Sequence, residues 1–595
     1  MKKHYETHVE DTDKLISVAG PILEYKSWYE QYRKLMEEQA QRKYGLYTPT
    51  SEGDDDDFPS IPGMITRYSA SGLTNEEMSK NPVWVDKTGS DHDLQMKNFA
   101  WGGMSGVGGY VDNWNSSADW AINSYWVNSH TDHKLQFITA STVVQAKSKN
   151  VYNAENVYKN ILNVNGLTEA VNKKSVKALR ISATDPITSK AIKTFSFDTD
   201  GVIQISFDDV LQDYYVIYFL SGNNTNDIDI TIEQLPLYPG ALVFDGVDDY
   251  GTCDNFPILT KEKGYTVVVL RQWDQDFLNT TLTGGLLSTR NYSTGEGVAF
   301  EKIESSNKGY WNLGAGGIID FAKSPFTWQT SKQYNNVGIL KGDKNHGKPL
   351  CVGCGLSGGQ QCGRFAIWEL VFLDHDATEE ELTKIKDYFV KTYPWLFPYQ
   401  AWTVTGKTNE DKDRATIANI TGNGNDLVLS NFGFAEGSGY NEEGEYASYL
   451  VTDGVDDKIV SSVFGMGKDF TIVGDWKFID NKKSGTGLVK GSSFYIYNTM
   501  TGLDLYINSG SVTNRFDGIK SINAACSDGR VYDPNWDEIL ANTGNVVGSG
   551  GTLEVSSSGG RFDRIAFKNF AIYPRILSKD DCIKAYNYLQ TLKAK

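Results

Sequence analysis

ALVFDGVDDYG occupies residues 241–251, and YLVTDGVDDKIV occupies residues 449–460. A hydrophobic β-like run enters the same DGVDD string in each, so one structural unit is written twice. Asp-Gly between two such runs is a tight-turn signal, with glycine taking the positive φ that other residues resist. Asp245, Gly246, Asp248 and Asp249, and Asp453, Gly454, Asp456 and Asp457, are therefore read as a repeated structural turn. An EF-hand calcium loop needs glycine at its sixth position and glutamate at its twelfth. Counting from the first Asp gives Tyr250 and Phe256 in one copy and Lys458 and Phe464 in the other. A calcium site of another carboxylate–carbonyl geometry is the remaining alternative to a turn.

Two further matches extend the repeat. GRFAIWELVFLDHDATEEELTKIKDYFVKTYP (363–394) and GRFDRIAFKNFAIYPRILSKDDCIKAYNYLQTLK (560–593) each run from a β-patterned strand through a polar turn into a helix. Thr378 with Glu381, and Ser578 with Asp581, have the spacing of an N-cap and its third helical residue, the second pair using Asp where Glu or Gln is usual. Upstream, Leu73–Tyr110 aligns with Lys407–Tyr440 through Thr74/Thr408, Asn75/Asn409, Thr88/Thr421, Gly89/Gly422, Asp93/Asp426, Leu94/Leu427, Asn98/Asn431 and Phe99/Phe432. This lead element runs almost directly into DGVDD in the second copy, whereas a long segment intervenes in the first. The reading is a lead element at 63–111, an inserted domain at 112–236 and a repeat body at 237–398. The second copy follows with its lead at 399–440 and body at 441–595.

The inserted segment carries short alternating runs such as LQFITASTVVQAKS, KALRISATD, YYVIYFLSG and DIDITIEQLP, parted by Asp, Gly and Asn turns. That pattern predicts a β-sandwich. In DIDITIE, alternation places Asp227, Asp229, Thr231 and Glu233 on one face, which is read as the solvated face of an edge strand.

Residues 1–62 differ in kind. PILEYKSWYEQYRKLMEEQAQRKYG (21–45) reads as a helix, with Pro21 near its start and Gly45 at its stop. Ile22, Tyr25, Tyr29, Tyr32 and Met36 form an apolar seam that Trp28 and Leu35 widen. An acidic, proline-bearing linker follows. A seam of about two heptads is short for a free coiled coil. It packs on its own β-domain or docks on a partner: another subunit in a dimer or trimer, or another protein.

Composition sets the limits. A chain of 595 residues holds several domains, and 33 Tyr, 27 Phe, 14 Trp and 58 Gly with little helix-forming sequence point to a mostly β protein. A net charge of −18 argues against a nucleic-acid partner. No apolar run reaches the length of a membrane span. The first residues lack the apolar core of a secretory signal, which suggests synthesis in a bacterial cytoplasm without classical export. Six cysteines are too few for a disulfide scaffold, and reduced thiols are expected. His346, Cys351, Cys354 and Cys362 have the ligand count of a Cys₃His zinc site without its usual spacing, and reduced loop cysteines are the simpler reading. No hydrolase, nucleotide-binding or metalloprotease motif occurs, so neither catalysis nor a cofactor is expected.

The repeated units resemble laminin-G/concanavalin A-like jelly rolls, in which a core strand reads like LVFDGVDDY and a last strand like FAIYPRILS (570–578). The lead string TNEDKDRATIANITGNGNDLVLSNFGF is similar to virion proteins of gut bacteriophages, notably the crAss-like phages of Bacteroides. These resemblances imply two lectin-like sandwiches able to bind surface glycans, on a fibre or appendage of a virion released by lysis. The helical anchor would hold it to other virion proteins. The alternatives are a purely structural virion component and, third, a capsule depolymerase.

Overall fold

The computed structural model describes residues 57–594 apart from short internal stretches, the longest being 290–298, 321–336, 342–348 and 541–548. The anchor seam from Ile22 to Met36 lies outside the described residues, as does His346. Within them the chain is mostly β, arranged as sandwiches around three hydrophobic cores.

Each repeat is organised on one long strand, Arg364–Leu373 in the first and Ile565–Tyr573 in the second. Both are buried almost throughout, because such a strand is covered on both faces and needs no polar alternation. On one side Arg364–Leu373 pairs with Thr266–Trp273, and Ile565–Tyr573 with Thr471–Phe478. A bulge falls at the corresponding place in each pair, at Leu270/Arg271 and at Asp475/Trp476. The other side is shared by two short strands. In the first repeat these are Leu242–Asp245 from the body and Met64–Ser69 from the start of the lead element. In the second they are Tyr449–Val451 and Gln400–Thr403. The lead segments are thus integral to their sheets, and their Leu94 and Leu427 lie in the two cores.

A closing helix follows each central strand. Thr378 caps Glu379–Thr392 with a complete capping box, its hydroxyl accepting from the Glu381 amide while the Glu381 carboxylate accepts from the Thr378 amide at 2.8 Å. Ser578 caps Lys579–Gln590 with the forward bond alone, from the Asp581 amide at 3.1 Å. The shorter Asp side chain accepts from the Ser578 hydroxyl instead, at 2.7 Å.

The insert is a sandwich of two five-stranded antiparallel sheets. Ile230–Gln234 is central, flanked by Lys134–Phe137 and Lys159–Asn165, which corrects the edge-strand reading. Its alternation holds: Ile230 and Ile232 are buried, while Asp229 is exposed and Thr231 and Glu233 are half-buried. Asp227 lies outside the described residues. The two ends of the insert are hydrogen-bonded together, with the Leu237 amide donating to Gly109 O and the Tyr238 amide to Gly108 O, both at 2.8 Å. A domain-sized segment therefore leaves and returns through one pair of adjacent backbones.

Candidate functional site

The repeated turn is assembled identically in both copies. The Val247 amide donates to Asp245 Oδ1 at 2.7 Å, and the Asp245 amide to Asp249 Oδ2 at 3.0 Å. In the second copy Val455 donates to Asp453 Oδ1 and Asp453 to Asp457 Oδ2, both at 2.7 Å. Gly246 and Gly454 take φ of +78° and +73°. The lead element then clamps the turn. Asn98 Nδ2 donates to Asp248 O at 3.1 Å and Asn431 Nδ2 to Asp456 O at 3.0 Å. Ser105 and Ser438 donate to Asp249 and Asp457. The duplicated Asp93 and Asp426 each accept from a backbone amide, of Asp86 and of Asn419, at 2.8 Å. Two of the matched pairs of the lead element, Asp93/Asp426 and Asn98/Asn431, make these bonds.

Carboxylate oxygens of Asp245, Asp248 and Asp249 lie within 4.8 Å of one another, as do those of Asp453, Asp456 and Asp457. Burial pushes the Asp249 carboxyl up to about 7 and the Asp457 carboxyl up to about 6. The bonds already accepted by Asp245, Asp249, Asp453 and Asp457 are those that build the turn.

The cysteines correct the sequence reading. Cys354 and Cys362 face each other on paired strands and form a disulfide, so neither reduced thiols nor a Cys₃His zinc site describes this segment. Two of the proposed ligands are joined to each other, which leaves Cys351, buried and free.

One member of the repeated turn reaches something further. Asp245 lines a cavity of about 290 Å³ where the first sandwich meets the insert. The lead loop contributes Gly102, Gly103, Met104 and Ser105, and the insert contributes Asp112, Asn113, Asp119, Trp120, Asn150 and Tyr152. Its insert wall is stiff. Tyr158 donates to Asp112 Oδ2 at 2.6 Å, Asn160 Nδ2 to the same oxygen at 3.0 Å, and the Tyr158 and Tyr218 hydroxyls lie 2.7 Å apart. Gln234 closes the loop, accepting from the Asp112 amide at 2.9 Å and donating to Asp112 O at 3.1 Å. Burial pushes the Asp112 carboxyl up to about 7, against the lowering effect of bonds from Tyr158, Trp120 and Asn160. Trp120 is held edge-on by Trp114 and Tyr218, and Tyr152 stacks on Tyr214. Asn150 Nδ2 donates to Asp119 Oδ1 at 3.2 Å on the cavity rim.

The wall mixes aromatic rings, amides and carboxylates, the donor and acceptor set that suits a polyhydroxylated ligand. The second sandwich has no insert, so the wall supplied from 111–152 has no counterpart over Asp453.

No protein-family model and no curated protein matches the chain. Among solved structures, it aligns with the botulinum neurotoxin serotype D binding domain at a TM-score of 0.23 and 10% identity, covering 58% of this chain and 89% of that one. It also aligns with Trypanosoma rangeli sialidase at a TM-score of 0.24 and 7% identity, covering 77% of this chain and 83% of that one. These scores assign no family. Among the described residues, no helix is long and apolar enough to cross a membrane.

Proposed function

We propose that the chain is a non-enzymatic recognition protein of a bacteriophage particle, a fibre or appendage whose β-sandwiches bind a glycan of the host surface. The cavity between the insert and the first sandwich carries this reading. It is preformed, lies at a domain junction as ligand sites often do, and presents Tyr152, Trp120, Asn113, Asn150 and Asp119 together. The Cys354–Cys362 disulfide suits a protein that works outside a reducing cytoplasm. The particle itself is inferred from the resemblance of the lead string, and the anchor helix from its apolar seam.

A glycan array probed with the full chain tests the reading. Binding to a defined set of glycans, weakened by Tyr152→Ala in a protein of unchanged circular dichroism, is the expected result. Absence of binding to every glycan and to host cells would favour the second reading, a structural component of the particle. That reading has its own support: the repeated turns are clamped from within and present little for a ligand.

A further inference from the structure

The cavity at the junction has one electrostatic sign. Asp119 and Asp245 line it, the Asp112 carboxyl being buried against Tyr158 and Asn160, and none of its lining residues is Lys, Arg or His. Two cations, at the start of the repeat strand and next in sequence to Asn150, are engaged elsewhere: Arg364 lies 3.6 Å from Asp274, and the Lys149 ammonium donates to Ser117 O. A carboxylate or sulfate brought into this space loses water and meets fixed negative charge with no counter-ion, a repulsion the low local dielectric strengthens. Sites that bind anionic sugars need donors of the opposite kind, such as an arginine fork or clustered amides.

Size narrows the ligand further. At about 290 Å³ the cavity sits at the lower end of small-ligand pockets. That is room for a single sugar ring rather than an oligosaccharide stretch. Apolar contact comes from Met104, Val111, Trp120 and Tyr152, and hydrogen-bond acceptors from Asp119, Asn113 and Asp245. A pyranose matches this wall, since its hydroxyls donate to carboxylates and its C–H face lies on an aromatic ring.

Building on the glycan-binding reading, we infer that this cavity accepts one uncharged sugar unit and rejects sugars bearing a carboxylate or sulfate. Asp119 is the discriminating residue at the rim. It accepts from the ligand's hydroxyls and repels anionic substituents.

The test titrates the full chain with matched pairs of glycans that differ only in a terminal acidic group, by calorimetry or on an array. Asp119→Asn and Asp119→Lys variants are run beside it, with Tyr152→Ala marking the cavity. Folding of each variant is checked by its thermal transition. The expected result is binding of the neutral member at least tenfold tighter than the acidic one. Asp119→Lys should narrow or invert that ratio, and Asp119→Asn should weaken the neutral ligand. Tighter binding of the acidic member by the native chain overturns the inference while leaving glycan recognition intact. So does glycan binding untouched by Tyr152→Ala and both Asp119 variants, which would place the site elsewhere. Absence of all glycan binding overturns the recognition reading, and the inference with it.

Discussion

Ser105 Oγ donates to Asp249 Oδ1 at 2.9 Å across 144 residues of sequence, and in the second repeat Ser438 Oγ makes the same bond to Asp457 at 3.1 Å across 19 residues. One contact closes both units, whether or not a whole domain stands between its partners. Removing either hydroxyl leaves a buried carboxyl short of a donor. Ser105→Ala and Ser438→Ala should each destabilise their own sandwich by about 1–3 kcal/mol. Denaturant titration followed by tryptophan fluorescence measures the loss.

Gly246 and Gly454 respond differently to the same substitution. A Cβ at Gly246 would meet the Arg364 Cβ at 2.8 Å, whereas at Gly454 the nearest contact is the Arg564 amide nitrogen at 3.3 Å. Valine should cost about 1–3 kcal/mol in backbone strain at either position, with an added steric loss at Gly246. Gly246→Val should therefore melt lower than Gly454→Val. Because hydrogen bonds form the turn, EDTA should leave the melting temperature of the native chain unchanged.

The joined ends of the insert make its removal a fair test of independence. A chain lacking 112–236, bridged by a short Gly-Ser link, should retain a cooperative thermal transition. A molten near-ultraviolet spectrum would show that the first sandwich depends on its guest. The same deletion removes most of the cavity wall and should abolish binding attributed to it.

Stability should fall as pH rises. Asp112 and Asp249 have carboxyls pushed up to about 7, and Asp457 to about 6, by burial in the fold. A raised carboxyl contributes its full stability below the unfolded-state value near ~4 and loses it as pH climbs through the folded value. Melting temperature should therefore decline between about pH 4 and pH 7. Asp112→Asn should flatten the part of that slope belonging to the insert. A rise of the melting temperature over the same interval would contradict the assignment.

The anchor prediction concerns incorporation rather than folding. Ile61 is buried and the Gly63 carbonyl accepts from the Asp374 amide at 2.9 Å, so a truncation should stop short of them. Deleting residues 1–56 should leave folded sandwiches that no longer assemble into particles, and serine at Tyr25, Tyr29 and Tyr32 together should do the same. Normal incorporation of either would place attachment in the sandwiches.

The duplicated architecture was legible because several repeated polar letters make the same bond in both copies. Asn98 and Asn431 take φ of +68° and +69° and reach a carbonyl, and Ser105 and Ser438 reach a carboxyl. The insert showed itself as an interruption between two such clamps. Sequence reasoning missed the cavity for a physical reason. Its wall joins 100–105, 111–120, 150–152 and Asp245, four pieces with no shared periodicity. Asp112 could have been suspected only by seeing that Tyr158 and Asn160, at the start of one strand, and Tyr218, on another, face inward together. The Cys354–Cys362 pair was hidden likewise, since eight residues of separation say nothing about which sulfurs a hairpin opposes.

The pairing of Gly108 and Gly109 with Leu237 and Tyr238 has a genetic corollary. A domain held by two neighbouring backbone segments behaves as a cassette: recombination between those segments exchanges everything from 110 to 236 without disturbing the register of the sandwich that carries it. Such an exchange, by one crossover in each flanking segment, replaces one wall of the cavity and keeps the other.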